Sequence, residues 1–146
     1  MSYVAKGGYR EDLRKYFRSK WEANLARYYN FAGIEWQYEP EEFEFKAIKR
    51  GSRFYKPDFY LPGVDEYIEL KGYFTPGDKT KLRRFKKYYP GVFKKLRFVV
   101  EDPFARSKEN GEVMKFLLDD LDVEFIDIIS YKGIEGVLKA LIPNWE

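Results

Sequence analysis

The sequence predicts an α/β domain in which a mixed central β-sheet is flanked by helices. The chain has 146 residues, which is the length of one domain with a proper hydrophobic core. Tyr and Phe contribute 13 residues each, so aromatic side chains supply much of the apolar volume. In the second half of the chain, strand-like segments alternate with helical periodicity, which indicates crossover connections within a sheet. We therefore predict a single domain over residues 1–146.

The N-terminal region is rich in Lys and Arg and leads into a helix. Residues 1–18 are expected to be a basic N-terminal arm that is loose over 1–9. Residues 11–17 are either a short helix or part of that arm, and an ordinary solvated terminus is the alternative. Residues 19–32 predict a helix, because apolar side chains recur at helical spacing and Gly33 follows as a stop signal. Ser19 and Glu22 have the spacing of a capping box, which gives Glu22 a purely structural explanation.

Strands are expected at residues 34–38 and 43–48, followed by a hairpin within residues 51–72. Aromatic residues favour its first strand, Pro62-Gly63 predicts the turn, and residues 67–71 form the second strand. The acidic run that includes Glu39 is interpreted as a solvated turn.

The remaining elements alternate between helix and strand. Asp78 is expected to open a helix that runs to about Tyr89 and is ended by Pro90-Gly91. Further elements follow in the chain: a buried strand at 96–100, a helix at 108–119, a strand at 123–129 and a closing helix at 133–141.

Charge is distributed unevenly along the chain. Residues 1–97 carry 22 basic and 13 acidic groups, whereas residues 98–146 carry 5 basic and 11 acidic groups. From residue 79 to residue 97 there are nine basic side chains and no acidic one. This pattern predicts a polyanion partner, because Lys and Arg contacts to phosphate supply sequence-independent affinity. The alternative is an ordinary solvated surface. The candidate DNA-binding residues are Arg50, Ser52, Arg53, Lys79, Lys81, Arg83, Arg84, Lys86 and Lys87.

Composition excludes several kinds of chemistry. The chain has no Cys and no His, so zinc sites built on those residues, Cys nucleophiles and His acid–base catalysis are excluded. No run of 18 or more apolar residues occurs, and the first residues lack an apolar signal core. No membrane association is expected, and an intracellular, cytoplasmic location is predicted.

Asp58, Glu69 and Lys71 form the most informative constellation. Side chains alternate along a strand, so Glu69 and Lys71 share one face while Ile68 and Leu70 point to the other. Asp58 lies on the neighbouring strand of the predicted hairpin, close to both charged side chains. Hard divalent cations such as Mg²⁺ prefer oxygen ligands and need only one or two carboxylates from the protein.

This constellation resembles the motif of the PD-(D/E)XK nuclease superfamily, with Pro57-Asp58 followed by Glu69-Leu70-Lys71. The resemblance implies a restriction-endonuclease-like core and a Mg²⁺-dependent DNA endonuclease in which Mn²⁺ substitutes. It implies that Asp58, Glu69 and the Leu70 carbonyl bind the metal and that Lys71 positions or polarises water. Glu22 matches the family's acidic residue on the first helix, and is the remaining candidate catalytic residue.

Within that superfamily, a short basic domain is most similar to the archaeal-type Holliday junction resolvases. That resemblance implies a homodimer that cuts branched DNA, and Ser52 matches a loop serine only loosely. Three other interpretations stay open: a repair, transposon-end or restriction-like duplex endonuclease, a non-catalytic DNA-binding module, and a purely structural protein.

Overall fold

A computed structural model describes residues 7–72, 75–100, 121–122, 124–127 and 129–146. These residues form a mixed α/β structure, as predicted. Within the described ranges the elements are, in chain order, β1 (Gly8–Arg10), β2 (Lys15–Phe17), α1 (Lys20–Phe31), β3 (Gln37–Tyr38), β4 (Phe43–Glu44), β5 (Phe54–Tyr55), β6 (Phe59–Leu61), β7 (Glu66–Lys71), α2 (Pro76–Tyr88), α3 (Pro90–Phe93), β8 (Leu96–Val100), β9 (Glu124–Asp127) and α4 (Ile129–Leu141).

The central sheet has five strands in the order β3-β6-β7-β8-β9. Strands β3, β6 and β7 pair antiparallel, whereas β7, β8 and β9 pair parallel. Parallel neighbours require a crossover, and α2 and α3 provide it between β7 and β8. The prediction of a mixed sheet is therefore confirmed.

The sheet buries apolar side chains on both faces, with a helix packed on each. On the α2 side, Phe85 packs in one cluster with Tyr67 and Phe98. On the α1 side, Leu25 packs in a second cluster with Ile68. Successive residues of β7 alternate between these clusters, which is the two-residue period of a strand. Strand β7 is therefore central, and its polar residues must be accommodated within or beside a core.

Helices α1 and α2 both begin with a side-chain cap. The Ser19 hydroxyl accepts a hydrogen bond from the Glu22 backbone N–H at 3.2 Å, which confirms half of the expected capping box. At α2, Thr75 and Asp78 form the complete reciprocal box, so this helix begins two residues before the predicted Asp78. Pro90 does not simply end the helical region, because it occupies the first turn of α3.

Of the two alternatives for residues 11–17, the short helix is wrong. Residues Gly8–Arg10 and Lys15–Phe17 pair as an antiparallel hairpin. Its inner face is held by tertiary contacts, since Phe17 is fully buried in the α1 cluster and Arg10 bonds the Glu146 carboxylate. Packing of this kind overrides weak local helix propensity. This part of the basic arm is therefore a packed element.

The hairpin predicted within residues 51–72 is divided. Strand β5 pairs with β4 in a separate two-stranded sheet. Strand β6, and not β5, is the antiparallel partner of β7. Pro57 separates β5 from β6, because proline has no backbone N–H to donate to a strand partner. The strands predicted at 34–38 and 43–48 are correspondingly short, at two residues each.

The later elements follow the predicted order where the structure describes them. Strand β9 lies within the predicted 123–129 segment, and α4 begins four residues before the predicted 133. The helix predicted at 108–119 lies outside the described residues. Among the helices of the described ranges, none combines the length and apolarity needed to cross a membrane.

Candidate functional site

The register of β6 against β7 brings Asp58 opposite Glu69. Phe59 pairs with Ile68, and one further step along the antiparallel ladder aligns Asp58 with Glu69. The Asp58 backbone N–H donates to Glu69 Oε2 at 3.3 Å, and the Leu70 N–H donates to Asp58 Oδ2 at 2.8 Å. Since β6 begins only at Phe59, the Asp58 side chain takes the place of a strand partner at this edge of β7. The structure thus brings the two predicted carboxylates together.

The carboxylates of Asp58 and Glu69 are largely surrounded by protein atoms. Glu69 is 8% exposed, while Asp58 keeps some contact with solvent. Burial, followed by the charges of Glu69 and Glu22, raises the pKa of Asp58 well above its usual value. Burial also raises the pKa of Glu69 to about 7, and the Lys71 ammonium opposes this shift. A cation bound between the two oxygens would remove the repulsion that favours their protonation.

This arrangement predicts an inverted pH dependence of stability in metal-free protein. Between about pH 4.5 and 7 the folded state binds protons at Glu69 that the unfolded state releases, so stability falls as pH rises. The stability of Glu69→Gln minus that of wild type is therefore expected to be greater at about pH 8 than at about pH 5. The increase in this difference in the free energy of unfolding should be up to about 3 kcal/mol.

Urea unfolding in EDTA at both pH values measures this difference. Glu66→Gln, the same substitution at the first residue of β7, is the matched control. Identical pH dependence of the free energy of unfolding in wild type and Glu69→Gln would contradict the assignment of a destabilising carboxylate.

Lys71 is tied to the first turn of α2. Its Nζ lies 2.9 Å from Asp78 Oδ1, and the other Asp78 oxygen accepts from the Thr75 N–H at 3.0 Å. Burial alone would lower the pKa of Lys71, but the charges of Glu69 and Asp78 outweigh it and raise that pKa. Lys71 is thus held as an ammonium beside the carboxylates.

A small cavity opens between these groups. It has a volume of about 20 Å³ and is lined by Tyr55, Glu69, Lys71, Asp78, Lys81, Leu82 and Phe98. A space of this size accommodates one water molecule. The Tyr55 hydroxyl is buried at the cavity and has no hydrogen-bond partner among the described residues. Burial, together with the charge of Glu69, raises the pKa of Tyr55, so its phenol stays a proton donor. The cavity therefore offers one donor hydroxyl and one ammonium to an oxygen ligand.

Glu22 lies beside Asp58, together with a residue that was not predicted. One carboxylate oxygen each from Glu22, Glu39 and Asp58 lie within 4.8 Å of one another. The Tyr38 hydroxyl donates to Glu22, while burial raises the Glu22 pKa. The arrangement places Glu22 at the candidate site in addition to its backbone role at the helix N-terminus.

Glu39 departs from the solvated turn expected for its acidic run. Its side chain pairs with Arg18 at 2.9 Å and is 17% exposed. Its backbone N–H donates to the Asp58 carbonyl at 2.8 Å, and its φ is +47°. Local sequence carries no signal for this placement, because it depends on β3 pairing with β6 rather than on the acidic run.

The basic residues begin at the site and extend away from it along α2. Lys81 lines the cavity, and Arg84 donates to the Ser52 carbonyl at 2.7 Å. This bond holds the turn containing Ser52 against the helix. Of the candidate DNA-binding residues, the exposed ones are Arg50, Arg53, Arg83, Lys86 and Lys87, and the partly buried ones are Ser52, Lys79, Lys81 and Arg84.

Sequence reasoning missed Tyr38, Tyr55 and Asp78 as members of this site. Tyr38 and Tyr55 read as ordinary strand aromatics, and Asp78 as the opening residue of a helix. A scan against models of known protein families finds no match, and a search among curated proteins finds no relative.

Proposed function

We propose that this protein is a Mg²⁺-dependent endodeoxyribonuclease of the PD-(D/E)XK type. One observation carries the proposal: the β6–β7 register sets Asp58 opposite Glu69, and Lys71 shares a strand face with Glu69. The five-stranded mixed sheet, with α1 and α2 on its two sides, supports a restriction-endonuclease-like core.

The donor set fits a hard divalent cation. Asp58 and Glu69 supply carboxylate oxygens, the Leu70 carbonyl is the proposed additional ligand, and Glu22 supports the same site. The burial that raises the pKa of both acids also favours a cation, which compensates two like charges. When bound, Mg²⁺ or Mn²⁺ would lower the pKa of a water and stabilise negative charge on phosphate.

Lys71 acts in this proposal as a charged donor. The Asp78 contact and the charge of Glu69 favour its ammonium form, so its N–H groups are available to a phosphate oxygen or to the attacking water. The Tyr55 hydroxyl supplies a second donor at the same cavity. These groups would orient the reactants without accepting a proton themselves.

The basic side chains of α2 indicate that the substrate of the site is a polyanion. Because Lys81 lines the cavity and Arg84 holds the turn that contains Ser52, phosphates bound along α2 would lead toward the carboxylates. DNA is therefore the proposed substrate. Branched DNA and a homodimeric enzyme of the Holliday junction resolvase kind are the proposed specific case.

Cleavage of a four-way junction, compared with a linear duplex of the same arm sequence, tests this function. We expect Mg²⁺-dependent cleavage that EDTA abolishes, with the junction cut faster. Equal cleavage of both DNAs would favour a repair, transposon-end or restriction-like nuclease. Salt-dependent binding without cleavage in Mg²⁺ or Mn²⁺ would favour a non-catalytic DNA-binding module.

Asp78→Asn is expected to move the alkaline limb of the pH–rate profile down by about one pH unit. The amide can still accept hydrogen bonds at the helix cap, but it removes a negative charge 2.9 Å from Lys71 Nζ. The pKa of Lys71 then falls, and the ammonium is lost at lower pH. Initial cleavage rates between about pH 6 and 10 measure the shift.

Two further variants separate charge from helix capping. Asp78→Glu should restore much of the wild-type profile, since it returns the carboxylate. Thr75→Val weakens the cap at α2 without removing a charge, so it should lower stability and leave the alkaline limb in place. An unmoved limb in Asp78→Asn would show that the ammonium does not depend on this pair.

A further inference from the structure

The β1–β2 hairpin displays two tyrosines on its outer face. Tyr9 and Tyr16 lie directly opposite each other across the ladder, and their side chains are 62% and 58% exposed. The inner face is committed elsewhere, because Phe17 is fully buried and Arg10 bonds Glu146. Side chains alternate along each strand, so the tyrosines cannot turn inward without disrupting these contacts.

Cationic side chains lie beside this tyrosine pair, although the charges there are mixed. The turn between the two strands carries the exposed Glu11 and Arg14, and Arg18, two residues after Tyr16, is 61% exposed. Exposed aromatic rings beside cationic side chains are typical of surfaces that bind single-stranded nucleic acid, since every base offers a face for stacking.

The hairpin leads directly to the carboxylates. Arg18 follows β2, pairs with Glu39 at 2.9 Å, and donates its backbone N–H to the Tyr38 hydroxyl at 3.3 Å. That hydroxyl donates in turn to Glu22. Tyr16 lies two residues before Arg18, a distance of about 7 Å along an extended strand. A nucleic-acid strand whose bases stack on the tyrosines would therefore lie beside the candidate site.

We propose that Tyr9 and Tyr16 form a stacking surface for unpaired nucleotides of the DNA that enters the site. This inference rests on the proposed nuclease function and specifies its substrate: DNA with a single-stranded or splayed segment next to the bond that is cut. The rings supply stacking, and Arg14 contacts an adjacent phosphate.

Fluorescence anisotropy in EDTA tests the surface, with a fluorescein-labelled single-stranded oligothymidylate and a duplex of equal length. Replacing both tyrosines with serine is expected to weaken single-strand binding at least about tenfold, with a smaller effect on the duplex. Replacing both with phenylalanine keeps the rings and should stay within about threefold of wild type. Phe31→Ser, at an exposed aromatic of α1, is the matched control.

A second readout uses wild-type protein alone. Irradiation with an oligonucleotide that contains 5-iodouracil should crosslink to Tyr9 or Tyr16, which mass spectrometry of the digested protein identifies. Unchanged single-strand binding by the double serine variant, or crosslinks only elsewhere, would overturn the proposal. The proposal would also be overturned if sedimentation showed a wild-type dimer that the double serine variant does not form, while the variant bound the oligonucleotide as wild type does. Because binding in EDTA needs no metal, absence of cleavage in Mg²⁺ would refute the nuclease without deciding this test.

Discussion

Replacing Asp58 with asparagine is expected to reduce Mg²⁺-dependent DNA cleavage by at least about a thousandfold, which corresponds to roughly 4 kcal/mol of lost transition-state stabilisation. The substitution preserves size and can still accept the Leu70 N–H at this edge of β7. It removes one of the two charges that oppose each other across the β6–β7 ladder. Initial rates on the preferred DNA, at saturating Mg²⁺, measure the loss.

The matched control is Asp65→Asn, the same substitution in the turn between the same two strands. Asp65 is exposed and pairs with Lys95, away from the carboxylates. It should cleave at close to the wild-type rate. DNA binding by Asp58→Asn in EDTA should persist, since the basic residues are unchanged. Cleavage by Asp58→Asn at the control rate would remove the basis for a metal site at Asp58 and Glu69.

Glu146→Gln is expected to lower the free energy of unfolding by roughly 2–4 kcal/mol. The Glu146 carboxylate contacts Arg10 Nε at 2.8 Å and Arg27 Nη1 at 2.9 Å. Both guanidinium groups lie in buried surroundings, with side chains 9% and 5% exposed. Loss of the carboxylate leaves Arg10 without this partner and Arg27 with Asp12 as its remaining carboxylate.

Urea unfolding at neutral pH measures this cost, and Glu135→Gln on the exposed surface of α4 is the control. The sign of the pH effect identifies the cause. Hydrogen bonds from Arg10 lower the pKa of Glu146, so its contribution is present at neutral pH and is lost as pH falls through the lowered pKa. A Glu146→Gln protein as stable as the control at neutral pH would mean that the ion pairs contribute nothing net.

Several elements could be read directly from the residues. Helix α1 follows from its apolar spacing and its Ser19 cap, and both are features that a dozen consecutive residues encode locally. Strand β7 follows in the same way, because the alternation from Tyr67 to Lys71 already separates charged from apolar faces. The pairing of Asp58 with Glu69 was predictable because a short turn allows only a few registers.

Other elements depend on contacts between distant parts of the chain. The first hairpin was predicted as a helix or arm because its basic residues show no clear period, and it is fixed by Phe17 in the core and by Arg10 bonding Glu146. The same holds for Tyr55. Its pairing with β4 and its packing in the α2 cluster bury the side chain and place its hydroxyl at the cavity. No local pattern marks such a residue.

Composition and spacing along the chain are enough to predict the α/β class, the strand that carries Glu69 and Lys71, and the basic character of α2. Contacts in the folded chain bring Glu39 to Glu22 and Asp58, hold Lys71 against Asp78, and place the β1–β2 hairpin beside them. The reason is physical: local periodicity fixes which way a side chain faces, whereas the neighbours it meets depend on strand pairing and helix packing between residues far apart in the chain.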